Sequence, residues 1–268
     1  MSATRAPWGS VLGAWGALLL ALGGSGCSPA QVRVDLPDPS AREWTRLRER
    51  LTISRDEQPG RPYVEQIVVA MREPRTGKVF QARGALAVDP RRAVRMILIG
   101  PGGSTALDAW VTDERFRIVV PPISLQRRGG ALPEEARGLP VGFFRWWMLH
   151  PLDGRLLAAW PREGGPLYLL RHAGQTVLLR EAHAPDAHER VMAARREEGA
   201  VERLEWTGRT PSSPHAGDKA RYVDGASGLE VEVLVEGVGD REPDPEAFLD
   251  PDAEAAPSPA PPASGVQL

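Results

Sequence analysis

Cysteine is almost missing from this 268-residue chain. Cys27 is the only one, so no internal disulfide can form and no cysteine-based zinc cluster can be built. A strong charge of one sign is missing too: 33 Lys and Arg stand against 35 Asp and Glu, without the clustered basic face of nucleic-acid binders. No apolar run reaches the roughly 20 residues that cross a bilayer as a helix; the stretch at residues 11–22 is about a dozen long. There is no G-x-S-x-G elbow for a serine hydrolase. The five histidines, His150, His172, His183, His188 and His215, contain no H-E-x-x-H pair. The glycine-rich stretch Gly100-Pro101-Gly102-Gly103-Ser104-Thr105 lacks the lysine of a phosphate loop and reads as a turn. With no nucleophile, metal ligand set or cofactor motif in view, neither an enzyme nor a metal or cofactor protein is expected.

The first 26 residues carry an export pattern. A polar start with Arg5 leads into the apolar run at residues 11–22, then into Gly23, Gly24, Ser25 and Gly26 just before Cys27. This resembles the lipobox of bacterial lipoproteins, in which the cysteine becomes the acylated first residue of the mature chain. Gly24 stands where that pattern prefers leucine, and Leu22 lies two residues further back. The plainer alternative is a secretory signal with a stray cysteine behind it. A lone thiol in an oxidising compartment favours the modified form. Ser28 after the cysteine implies, by the same resemblance, an outer-membrane destination with the chain facing the periplasm. Acyl chains contribute about 0.8 kcal/mol per buried CH₂, so several together anchor durably.

Residues 27–39 read as a lipidated tether, and residues 239–268 as a disordered tail rich in Pro and Ala. That tail holds seven acids, Asp240, Glu242, Asp244, Glu246, Asp250, Asp252 and Glu254, against Arg241 alone. It is a spacer or docking segment, or has no specific partner. Between them, residues 40–238 have enough length for one core.

Ser40 and Glu43 form a capping box, and Trp44, Leu47 and Leu51 follow at helical spacing beneath an arginine-rich face. Period-two alternation then takes over. Phe80, Ala82, Gly84, Leu86 and Val88 share one face; Val94, Met96 and Leu98 repeat the pattern, as do Phe116, Ile118 and Val120, and finally Leu229, Val231, Val233 and Val235. Further strands are expected at 63–72, 106–112, 166–171, 175–181, 188–196 and 200–207. About ten antiparallel strands in succession predict a meander that curls on itself. Residues 138–150 interrupt it. Pro140 opens a helix, Pro151 stops it, and Phe143, Phe144, Trp146, Trp147, Met148 and Leu149 make it apolar nearly all round, which requires burial.

The order of these pieces resembles the LolA/LolB-like superfamily: an early helix; the strand Arg83-Gly84-Ala85-Leu86-Ala87-Val88; the strand and turn running from Val94 to Gly103; then the helix at 139–147. The match covers residues 40–155. It implies a mainly β, α+β fold: a half-open antiparallel β-barrel with plugging helices and an apolar interior that accepts lipoprotein acyl chains. The turn at Gly100 lacks the large apolar side chain that LolB proteins carry there. Phe143, Phe144, Trp147, Trp110 and Phe116 are the candidate cavity residues, and ordinary core is their alternative. Trp206 reads as core.

The expected protein is thus a lipoprotein anchored in the outer membrane through Cys27, binding a lipid or acyl chain. The alternatives are a structural or assembly lipoprotein that binds another envelope protein, and a periplasm-facing hydrolase with no nameable nucleophile. No nucleic-acid partner is expected.

Overall fold

The capping box read at Ser40 is formed in the computed structural model, which describes residues 39–74, 76–132, 135–150, 152–172, 174–184, 187–195 and 201–253. The Ser40 hydroxyl accepts from the Glu43 amide at 3.3 Å and the Glu43 carboxylate accepts from the Ser40 amide at 2.9 Å. These bonds satisfy two of the amides that every helix start leaves orphaned. Helix α1 (Ala41–Asp56) turns Leu47 and Leu51 into the core and leaves Arg42, Arg46 and Arg48 exposed. Its last turn is tied down by Arg55, which donates to the carbonyls of Leu152 and Gly154. The export segment, Cys27 and nearly all of the tether lie outside the described residues, as does Pro151.

Thirteen antiparallel strands follow: β1 (Tyr63–Arg72), β2 (Val79–Asp89), β3 (Ala93–Ile99), β4 (Thr105–Val111), β5 (Phe116–Val120), β6 (Leu125–Gly129), β7 (Arg155–Trp160), β8 (Leu167–His172), β9 (Gln175–Ala184), β10 (Ala187–Arg195), β11 (Val201–Gly208), β12 (Lys219–Asp224) and β13 (Leu229–Val238). They form one sheet in the order β6-β5-β4-β3-β2-β1-β13-β12-β11-β10-β9-β8-β7. Two meanders are thereby joined along β1 and β13, with Val69 opposite Val233. The sheet does not close: β6 and β7 are its two edges, and the chain between them supplies the helix expected at 138–150. Inward side chains of both meanders, from Ile67 and Leu98 to Leu179 and Tyr222, belong to one buried cluster. At about 1.5–3 kcal/mol for each large side chain, that cluster dominates the favourable side of folding.

Strands β6, β7 and β12 are additions to the sequence reading. β6 (LQRRG) is an edge strand without apolar alternation, and β7 is an edge strand whose pairing slips between Leu156 and Ala158. β12 turns Ala220, Tyr222 and Asp224 inward, a face too polar to announce itself.

The proposed tail needs a correction at its start. Residues 239–253 pack on the outer face of the sheet, with a short 3₁₀ turn at Pro245–Phe248 and the Phe248 side chain buried. Its acids meet arginines of β5, β6 and the turn before them: Asp250 with Arg115, and Asp252 with both Arg117 and Arg128. Composition alone hides those partners. Residues 254–268 lie outside the described residues.

Candidate functional site

The segment that bridges the open edges starts at Pro140, whose carbonyl accepts from the Phe144 amide at 3.2 Å. Helix α2 (Val141–Phe144) runs on into a π-helical turn, Arg145–Leu149, closed by the His150 amide donating to the Arg145 carbonyl at 2.7 Å. Such single π turns widen a helix locally and recur at functional positions. Val141, Phe143, Phe144, Trp146, Trp147, Met148 and Leu149 are all buried, as an all-apolar helix demands. The Phe143 ring meets Phe144 at 5.4 Å, Trp147 at 4.9 Å and Tyr222 at 5.7 Å between centroids, all tilted, the favoured range for aromatic pairs. Gly142 sits over the buried hydrogen bond from the Tyr222 hydroxyl to Glu202.

Polar groups fix this plug at its rim. Arg145 donates to the carbonyl of Thr112, after β4, and to that of Gly130, after β6, at 3.0 and 3.2 Å. Its burial works against the charge, and Asp113 supports it. His150 follows the π turn and is held between Asp113 and Asp153, with Nδ1 2.6 Å from the latter carboxylate. The hydrogen bonds to Asp113 and then Asp153 raise its pKa to about 9, so the ring is a cation at neutral pH. The His172 ring lies 5.6 Å away and is pushed the other way, by burial first and by the His150 charge second.

The structure gathers four of the five candidate cavity residues. Phe143, Phe144, Trp147 and Phe116 share the inner cluster. Trp110 does not join them. On β4 the inward phase is Leu107, Ala109 and Val111, which places Trp110 on the outer face beside Arg95 and Arg117. There its indole donates to the Phe248 carbonyl at 3.1 Å, beneath the folded C-terminal segment. Trp206 is inside, with the Arg190 guanidinium 5.3 Å from its ring centre.

A set of charged residues escaped the sequence reading. Glu65 is in phase with Ile67 and Val69 on β1, Glu181 with Val177 and Leu179 on β9, and Arg190 with Met192 on β10; all three are buried. A charge in the apolar phase of a strand was the available signal. Arg190 donates from Nε and Nη2 to one Glu181 oxygen at 3.1 and 3.0 Å, a charge-assisted pair that offsets part of the desolvation cost. Glu65 has no such partner. Burial, then the charge of Asp218, lifts its pKa to about 8, and its Oε2 makes no hydrogen bond.

Two cavities of about 40 Å³ each lie here. Gln58, Pro59, Tyr63 and Trp147 line both; Arg55, Met148 and Leu152 continue the first, and Glu65, Arg190, Trp206 and Asp218 the second. Each holds roughly three waters, far below the about 300–1,000 Å³ of a small-molecule site. Neither has room for a larger guest, which requires the plug to move. Among the described residues no cluster of His, Cys, Asp and Glu could hold a metal ion, and no helix is long and apolar enough to cross a membrane.

No family model and no curated protein matches the chain in sequence. Solved structures to which it is similar include a LolA superfamily protein of Nitrosomonas europaea, at 12% identity and a TM-score of 0.48, covering 75% of this chain and 97% of that one. Another is a domain assigned as an outer membrane lipoprotein-sorting protein, from Vibrio parahaemolyticus, at 10% identity and 0.45, covering 75% and 94%. A third is a DUF1329 family protein of Desulfovibrio piger, at 12% identity and 0.39, covering 79% and 98%.

Proposed function

We propose that this chain is a lipoprotein of the bacterial envelope, acylated at Cys27 and anchored in the outer membrane facing the periplasm, which takes an acyl chain into its curled sheet when the helical plug lifts. The observation that carries the reading is the plug itself. A nine-residue segment, Val141–Phe144 with Arg145–Leu149, buries seven of its side chains against the inside of an unclosed sheet. At its rim, Arg145 and His150 bind loop carbonyls and carboxylates. Such bonds can be exchanged for water at small net cost, about 0.5–1.5 kcal/mol for a neutral pair and more for a charged one. Displacing the plug uncovers Phe143, Phe144, Trp147 and Phe116, and an acyl chain re-covers the same apolar surface. The sequence resemblance to the LolA/LolB-like superfamily supports this use of the interior.

The test is native mass spectrometry of the purified protein titrated with dodecanol, an uncharged chain. Saturable one-to-one binding that Phe144→Asp abolishes in a still-folded protein is expected. No binding by the folded wild type overturns the reading. The anchor is tested separately: Cys27→Ala must release the chain from membranes, and a variant that stays attached refutes acylation there.

A further inference from the structure

Of the two cavities beside Trp147, the second carries an unmet chemical demand. Glu65 is 2% exposed, points along the inward phase of β1, lines this cavity and leaves Oε2 without a hydrogen bond. A buried carboxyl in that condition costs free energy unless something pairs with it. Asp218, buried just before β12, lines the same cavity and adds a second acid. Its two oxygens accept from the amides of Arg209 and His215, and the Arg209 charge also favours its ionised form. Arg190 is the only cationic residue among those lining the cavity, and it is committed to Glu181. Tyr63, Trp147 and Trp206 supply aromatic wall, which attracts cations by its ring quadrupole.

We propose that this cavity is the headgroup subsite of the apolar interior and that it takes a primary ammonium group, the polar end of an amphiphile whose chain runs under the plug. The inference rests on the acyl-chain reading and deepens it. An ammonium carries three donors on a compact charge, enough to bond Glu65 Oε2 and reach Asp218 while its face meets the rings. The cavity's room for about three waters suits a group of that size. A carboxylate headgroup would face two acids, and a hydroxyl would bring no positive charge to pair with them.

Entry of an ammonium must also displace the proton that Glu65 holds at neutral pH, since its pKa stands at about 8. The titratable and charged groups that share the cavity with that carboxyl are Asp218, Arg190 and the Tyr63 hydroxyl. Loss of the proton is therefore the expected electrostatic response to a bound cation.

The experiment compares dodecylamine, dodecanol and dodecanoate on the full protein by calorimetry at pH 7 in buffers of different ionisation enthalpy. Dodecylamine is expected to bind about ten-fold or more tighter than either other chain and to release about one proton, while dodecanol releases none. Glu65→Gln, with Asp218→Asn as a second variant, is expected to abolish the preference for dodecylamine over dodecanol. If dodecanol or dodecanoate binds as tightly as the amine, or if no proton leaves, the headgroup inference is overturned while the acyl-chain reading stands. If none of the three binds, both fall together.

Discussion

Glu65 and Gly142 are single residues on which the closed interior depends. In the folded chain the Glu65 carboxyl keeps its proton to about pH 8, against an ordinary value of 4.5. Between those values the folded state binds more protons than the unfolded one, so stability falls as pH rises from about 5 to 8. Glu65→Gln removes that slope. The variant is expected to match the wild type near pH 5 and to exceed it by a few kcal/mol at pH 8, which urea unfolding across the pH range reads directly. At Gly142 the constraint is steric. A Cβ there would lie 2.8 Å from the Tyr222 hydroxyl and 3.0 Å from a Glu202 oxygen, under a helix that cannot retreat from the sheet without unpacking Phe143. Gly142→Ala is expected to destabilise by about 1–3 kcal/mol, and Tyr222→Phe in the same chain should recover part of it. Additive losses in that double-mutant cycle would show that the two sites do not touch.

Among the elements, the plug is the one built to move. His150 is raised to about 9 by Asp113 and Asp153, against an ordinary 6.5. Its contribution is thus complete below about pH 6.5 and lost as pH climbs through 9. Asp153 is held below its ordinary 3.8 mainly by the same hydrogen bond, so its share is present above that value and fades in acid. Hydrogen exchange of residues 141–149 should therefore speed up as the latch is titrated above neutrality, beyond the intrinsic rise with pH. His150→Ala should raise it already at pH 7, by a factor of about 10–100, with the amides of β1 and β13 unchanged. Equal acceleration of the central strands would mean that the plug opens only with global unfolding.

How far these elements could be read from sequence follows the same physics. α1 and the plug are legible because capping and an all-apolar helix are local signals, and β2, β3, β5 and β13 because alternation is. β6 and β12 are not, since an edge strand of Gln and Arg and a strand facing inward with Asp224 gain their partners only after folding. The apolar half of the site shares the legibility of the plug. Its polar half sets Glu65 of β1 in one cavity wall with Arg190 of β10, itself paired with Glu181 of β9, a proximity that no spacing along the chain encodes.

On the scale of the whole molecule, the sheet is covered on both faces at β3–β5, and the two covers come from distant parts of the chain. Inside lies the plug; outside, residues 239–253 seat Phe248 against Trp110 and bring Asp252 to Arg117, which also bonds Asp108, itself paired with Arg95. A half-buried network of alternating charge is worth more than the separate exposed pairs, whose median is about 0–1 kcal/mol. The strap therefore clamps the strands whose flanking turns, at Thr112 and Gly130, receive the Arg145 latch. If it were a solvated spacer, its removal would cost nothing. Truncation after Gly239 is instead expected to lower stability by about 2–4 kcal/mol, chiefly through the uncovered Trp110 and the lost Phe248 contact. Phe248→Ala alone should account for most of that loss and open residues 240–253 to protease. Asp252→Asn should cost less, and its effect should shrink in high salt, because partly exposed charges are screened and packed rings are not. A truncated protein as stable as the full chain would return residues 239–253 to the role of a tail, and would leave the order at β4 and β5 to the plug alone.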